Sequence, residues 1–426
     1  MLPHDTVQDP GAVVRRARKA RGLTQGQLGD LVGCAASTVS RWETGVIRLD
    51  LETRRRLADL LAIPLQHLGL DASSPTARSI TARVGGIIPG SREDHQVLLR
   101  RHLLAAVPAG FLGASAGLPA HSLTDQITIS LEQALLIPPG DLRPVPLPVL
   151  RRMLADAQSD FAAAAYQRLG ERLPKLLALA QTTAATEPPP AGALYADAAA
   201  LAAHLGIKTG VDHLAWVAAD RAVTAARPSG DPVALAEATR MLVILARRAG
   251  RRDRALTLAV DAADALSPHL VADPRAGRLH ARLLCTAGYT AAGAGDRDAA
   301  GVLLGEAAAR AEAGTPEATQ IALYQVSAAL ALGDAGHALT HARGVTPAAG
   351  LTPERAGRYW VDVALALAQL RQPANAWEAL RRAEAAAPEE VRARPVVRDL
   401  ASDLLAAPGA RPAGLRAFAT RVGITS

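Results

Sequence analysis

The stretch Leu23–Gly45, LTQGQLGDLVGCAASTVSRWETG, decides how the rest of the chain is read. Thr24 is suited to cap a helix. Gln27, three residues on, completes a capping box in which each side chain satisfies a backbone N–H that the first turn leaves without a partner. Leu28 and Leu31 then recur at helical spacing and predict one buried stripe. Gly33 falls where the chain must turn sharply, and glycine enters the left-handed region at no steric cost. A second helix follows. Val39 and Trp42, three apart, are expected to point inward, with Ala36, Ser37, Ser40, Arg41 and Thr44 together on the opposite face. That face is short and polar and carries one arginine, so it suits close approach to base edges in a DNA groove better than it suits a core. Gly45 stops the helix. The reading requires this face to be free while the tryptophan anchors the other side.

These pieces resemble the helix-turn-helix of the phage-repressor (Cro/cI, or XRE-like) family, over about Val14 to Leu68. The landmarks stand in order: Arg18 on the first helix, GLTQ at Gly22–Gln25, Gly33 at the turn, VSRWETG at Val39–Gly45, and LADLLAI at Leu57–Ile63 on the fourth helix. The resemblance implies DNA binding and a role for each matching residue. Gln25 is expected to hold a phosphate, Ala36, Ser37 and Arg41 to occupy base-reading positions, with Ser40 beside them, and Thr44 to contact the backbone. Arg18 and Glu43 match an ion pair that ties the first helix to the end of the recognition helix. One departure is Ala35, where the family caps this helix with Ser or Thr. Losing a cap costs about 1 kcal/mol, so the helix is expected to start late, at Ser37. Ala36 can touch a thymine methyl but cannot donate, so specificity is expected to lean on Arg41, suited to bidentate contact with guanine.

The whole chain is consistent with helices. Its 426 residues allow two or three domains. Hydrophobic residues make up 49%, yet aromatics only 3%, which suits helices packed through alanine and not a β-sandwich. The net charge of +7 favours a polyanionic partner. Ten Lys+Arg against seven Asp+Glu within Met1–Leu70 give +3 there, so the remaining +4 is spread thinly over the rest. Two cysteines, Cys34 and Cys285, exclude a disulfide framework and a cysteine-only zinc site. With a polar start at Met1–Pro10 they point to reduced thiols and a cytoplasmic protein.

Asp9 and Pro10 predict the start of the first helix, whose Arg15, Arg16, Lys19 and Arg21 form either a solvated face or one that meets phosphates. Asp50 is expected to cap a fourth helix carrying Arg54, Arg55 and Arg56, and Pro64 to open a short fifth. Asp71–Pro89 reads as a linker. Arg100-Arg101 before the apolar run Leu103–Leu118 looks like an export signal, but the run is sixteen residues long and lies far from the start, and a span needs about 20. A buried connector helix or dimer contact is expected. The proline-rich Ile137–Pro148 marks a second boundary.

From about Leu147 the chain repeats. Gly250-Arg-Arg-Asp-Arg-Ala255, Gly295-Asp-Arg-Asp-Ala-Ala300, Gly333-Asp-Ala-Gly-His-Ala338 and a degenerate Arg371-Gln-Pro-Ala-Asn-Ala376 place their alanines 45, 38 and 38 residues apart. An earlier copy is expected at Gly210–Ala215. A helix pair of this kind cannot bury its apolar face alone and must stack on neighbours. The pattern resembles tetratricopeptide-like repeats with longer periods, in at least four copies and up to five or six.

Repeats behind such a helix-turn-helix resemble the peptide-pheromone receptors of Gram-positive bacteria. Those grip peptide backbones with asparagines, and this chain has one, Asn375. Trp216, Tyr289, Tyr324, Tyr359, Trp360 and Trp377 suit packing better than a pocket. His337 and His341 stand four apart without a third metal ligand, and phosphate-loop, dinucleotide and nucleophile-elbow motifs are missing. The expectation is therefore an all-α protein without catalytic residues, metal or cofactor. It comprises a five-helix lambda-repressor-like helix-turn-helix domain over 1–70, linker and connector helices over 71–146, and a tetratricopeptide-like α-solenoid with a C-terminal cap over 147–426. Its expected partner is double-stranded DNA with an inverted-repeat operator, bound as a homodimer. The repeats dimerise the chain or sense a peptide, small molecule or protein. The alternatives are an interaction scaffold with vestigial DNA binding, or the repressor of a mobile element.

Overall fold

The structure is a computed structural model, describing residues 10–32, 34, 36–45, 49, 51–68, 123–137, 140–312, 314–345, 351–407 and 413–424. Among these residues every regular element is helical. The expected turn at Gly33, the caps at Asp9, Ala35 and Asp50, the 71–89 linker and the 103–118 run lie outside the described residues.

The N-terminal unit consists of α1 (Pro10–Ala20), α2 (Gln25–Val32), α3 (Ala36–Glu43), α4 (Leu51–Leu60) and a final turn, Leu65–Leu68. Val14, Leu28, Val39, Leu57 and Leu68 are fully buried at its centre. Two local expectations need correction, and the expected short fifth helix takes 3₁₀ form. Leu31 is half exposed, and Val32 takes its place in the core. At 3.6 residues per turn Val32 lies about 40° from Leu28 and Leu31 about 60° to the other side, so the stripe runs i, i+4. The recognition helix starts at Ala36, not Ser37. Gly11 is required by packing: a Cβ there would lie 2.0 Å from the Trp42 carbonyl oxygen, so α1 crosses the end of α3 at backbone distance.

Beyond it the first described element is α5 (Leu123–Leu136), which lies in the stretch expected to hold linker and connector helices. Ile127, Leu131, Ala134 and Leu135 form one buried stripe and join the same core as the helices that follow, so this helix packs on the array. Six antiparallel pairs come next: α6 (Leu147–Ala162) with α7 (Tyr166–Thr186), α8 (Pro188–Thr209) with α9 (Asp212–Ser229), α10 (Pro232–Arg248) with α11 (Arg252–Leu266), α12 (Pro274–Gly293) with α13 (Arg297–Ala308), α14 (Pro316–Ala331) with α15 (Ala335–Arg343), and α16 (Pro353–Gln369) with α17 (Pro373–Ala386). The short helices α18 (Pro388–Ala393), α19 (Pro395–Ala406) and α20 (Leu415–Arg421) close the far end.

One turn geometry joins all six pairs. The residues Ala164, Gly210, Gly250, Gly295, Gly333 and Arg371 take left-handed φ values between 54 and 81°. The next N–H then reaches a carbonyl five residues back, Val211 to Gly206 and Arg251 to Ala246 among them, at 2.8–3.0 Å. This closure satisfies carbonyls that the helix end would leave orphaned. Five residues past each left-handed position stands a buried small or aliphatic side chain: Leu169, Ala215, Ala255, Ala300, Ala338 or Ala376. Close packing explains the alanine-rich composition. At Gly288 a Cβ would come 2.8 Å from Leu304 Cγ, so α12 and α13 leave no room for one. The N-terminal unit and the pairs through α13 share one continuous core.

Candidate nucleic-acid interface

Local chemistry builds the helix-turn-helix as its sequence predicts. Thr24 N–H donates to Gln27 Oε1 at 2.8 Å, and Gln27 N–H donates to Thr24 Oγ1 at 3.1 Å. Both halves of the capping box are therefore made, and α2 starts at Gln25. Gly45, with φ of 73°, ends α3. Val39 and Trp42 are buried against the unit's own core.

The inner end of α3 is held by a charged cluster. Arg18 Nε donates to Glu43 Oε1 at 2.5 Å and Nη2 to Oε2 at 3.0 Å, while Nη1 meets the Leu23 carbonyl. Gln25 Nε2 donates to Glu43 Oε2 at 2.9 Å, so the amide expected on a phosphate is engaged inside the protein. Burial would raise the Glu43 carboxyl, but the bonds from Arg18 and Gln25 outweigh it and hold it below the usual range.

The outer face of α3 is divided. Ala36 and Thr44 are exposed and Ser40 is half-buried. The Thr44 hydroxyl turns back to the Ser40 carbonyl at 2.9 Å. The side chain of Ser37 lies outside the described set. Arg41 departs from expectation: it is only 5% exposed, because the face it occupies is docked on the helical array. Its Nη2 donates to Glu306 on α13, and Nη1 lies 3.8 Å from Asp264 on α11. Thr38, which no motif in the sequence marks as a contact residue, is buried beside it and donates its hydroxyl to Asp264 Oδ2. His280 of α12 is buried here too. Burial, then Arg310, lower its pKa, with Arg41 contributing and Glu306 and Asp264 opposing, so the ring is neutral near pH 7. Its Nδ1 and Arg41 Nη1 are both buried without a hydrogen bond. Cys34, at the entry to α3, packs on the shared core. Its thiol is pushed up to about 12 by burial, then by Asp261 and Asp264.

The expectation of a wholly free recognition face therefore needs correction. The physical reason is charge: two array carboxylates meet the one arginine of that face. No sequence pattern marks Asp264 or Glu306 as its partner.

Other cations of this unit remain accessible. Arg15, Arg16, Lys19, Arg55 and Arg56 are exposed. Arg21 and Arg54 instead donate to the backbone, to the Leu60 carbonyl at 2.9 Å and the Leu68 carbonyl at 3.2 Å. In the array a pocket of about 220 Å³ opens between α12, α14 and α16, lined by Arg278, Arg282, Cys285, Ile321, Leu351 and Arg355 among others. None of the six candidate aromatics lines it. Trp216, Tyr359 and Trp377 are buried in the core, whereas Tyr289 faces Arg247 at 4.6 Å and Trp360 faces Arg382 at 4.9 Å. His337 is engaged by its own helix cap, with Nδ1 2.6 Å from Asp334 Oδ2.

The segment Val14–Leu68 matches the helix-turn-helix family. No curated protein and no solved structure matches the chain. Among the described residues no helix is long and apolar enough to cross a membrane.

Proposed function

We propose that this protein is a sequence-specific transcription regulator. Its N-terminal unit binds duplex DNA, and its helical array, which we assign as tetratricopeptide-like, dimerises it and receives a signal. One observation carries the reading: the family match over Val14–Leu68 coincides with a capped α2 and a tryptophan-anchored α3. The exposed Ala36 and Thr44 and the basic residues of α1 add to it. A single helix-turn-helix buries too little surface for high specificity, so the reading calls for a homodimer on an inverted repeat. Sedimentation of the full chain at one-chain mass, unchanged on DNA, would remove the dimer.

The test of DNA binding is affinity of the full chain for fragmented genomic DNA across a salt series. Binding that falls steeply with salt and enriches particular fragments supports the reading. A second reading, an interaction scaffold with vestigial DNA binding, is favoured by one observation: Arg41 is engaged by the array. It predicts no salt-sensitive binding under any condition.

A further inference from the structure

We infer that the array masks the recognition helix, and that Asp264 and Glu306 act as an internal stand-in for DNA, holding Thr38 and Arg41 until the two parts separate. This rests on the DNA-binding reading above. The chemistry is specific. A guanidinium recognises paired acceptors on guanine or on phosphate, and a carboxylate offers the same fork of acceptors. Here Arg41 Nη2 bonds Glu306, its Nη1 approaches Asp264 at 3.8 Å, and Thr38 bonds Asp264 as well. A duplex seated on α3 needs the space that α11 and α13 occupy. Docking and DNA binding are therefore mutually exclusive, and the apparent affinity is lowered by the fraction of molecules that is docked.

The two carboxylates come from different helix pairs. Asp264 stands on α11 and Glu306 on α13, and the buried His280 on the intervening α12 feels the charge of both. The clamp is thus complete only when the third and fourth pairs hold their present register. A small change in how these pairs stack moves one carboxylate against the other and opens it. That makes the mask a two-state element to which an event elsewhere in the array can couple. Arg41 Nη1, buried without a hydrogen bond, leaves the clamp short of full satisfaction.

The experiment compares the full-length protein with the charge-neutral variants E306Q and D264N/E306Q. Two quantities are read: affinity for a random-sequence duplex pool at low salt, and the rate at which Cys34 reacts with a thiol reagent. Cys34 sits at the docked edge of α3, and the other cysteine, Cys285, which lines the array pocket, is replaced by alanine in every protein compared. Far-ultraviolet circular dichroism establishes that each variant is folded, and the labelling comparison rests on E306Q, because Asp264 itself raises the Cys34 thiol. The expected result is faster Cys34 labelling together with roughly tenfold or greater tightening of DNA binding. Labelling unchanged in a folded variant would overturn the inference, because the carboxylates would then not hold the dock. Faster labelling with DNA binding already tight in the unmodified protein and no tighter in the variant would overturn it too, leaving the regulator reading standing. Faster labelling with no DNA binding by either protein would sink the regulator reading itself, and the inference with it.

Discussion

Two arginines of the N-terminal unit are nearly fully buried, and both face carboxylates, yet they belong to different kinds of structure. Arg18 meets Glu43 inside one small core, 25 residues along the chain. Arg41 meets Glu306 across a seam between two parts, 265 residues along the chain. A charge taken out of water needs its partner. The difference lies in what happens when the partner is lost. Arg18 can reach water only if the unit unfolds. Arg41 can reach water if the unit lifts off the array. The same pairing chemistry therefore stabilises a fold in one place and sets a conformational equilibrium in the other.

Glu43→Ala tests the first half of that comparison and carries the largest expected effect. Breaking a buried pair by removing one partner costs about 3–5 kcal/mol. The loss should be confined to α1–α4, read as faster hydrogen exchange there with the array unchanged. Acid should act in the same direction. The Glu43 carboxyl titrates below its ordinary value, so its stabilisation is present above about pH 4.5 and is lost as the pH falls through the folded value. Glu306→Ala is the counterpart. Its cost should stay near 1 kcal/mol or less, because Arg41 escapes by undocking. Equal losses of stability in the two variants would erase the distinction.

Asp197 supplies a third case, a half-buried carboxyl with more like charge than opposite charge around it. Burial in α8 pushes its carboxyl up to about 7, with Glu237 and Asp231 adding to the rise and Arg275 opposing it. The group gives up its charge instead. A raised carboxyl pKa means that folding favours the protonated form, so stability present near the ordinary value of 3.8 is lost as the pH rises through about 7. Asn is neutral at every pH. Asp197→Asn should therefore stabilise the array by roughly 2–4 kcal/mol at mildly alkaline pH, and by little at acid pH. Urea denaturation at the two pH values checks it. A gain of the same size at both would show that the carboxyl does not titrate in this range.

The comparison also separates what was legible in the sequence from what was not. Short patterns were readable because one residue predicts its partner a fixed distance away. Thr24 and Gln27 made their box, and four Gly or Arg landmarks with an alanine five residues on became hairpin turns. The first hairpin escaped notice because Ala164 and Leu169 stand where glycine and alanine stand in most others. A second signal stands in the sequence. Asp231-Pro232, Asp273-Pro274, Thr315-Pro316 and Thr352-Pro353 each open the first helix of a pair, a polar cap followed by proline. Leu31 was misplaced because two adjacent apolar residues competed for one stripe. The dock on Arg41 left no trace at all. Asp264 and Glu306 sit in ordinary amphipathic helices, and only the folded array brings them together.

The smallest test asks whether a change inside one hairpin stays there. Arg371 holds the left-handed position of the last pair, with φ of 57°, where most other pairs use glycine. A side chain in that region costs roughly 1–2 kcal/mol, because its Cβ crowds the following carbonyl oxygen. Arg371 is exposed, so removing its side chain forfeits no core contact. Arg371→Gly relieves the crowding but gives the unfolded chain more freedom, which offsets part of the gain. The expected net stabilisation is about 1 kcal/mol or less, measured as slower hydrogen exchange in α16 and α17. The labelling rate of Cys34 should not move, since the clamp on Arg41 is built from the third and fourth pairs and this hairpin belongs to the sixth. A changed Cys34 rate would mean that strain travels along the array, and that the seam under the recognition helix responds to the stacking of every pair instead of its own two.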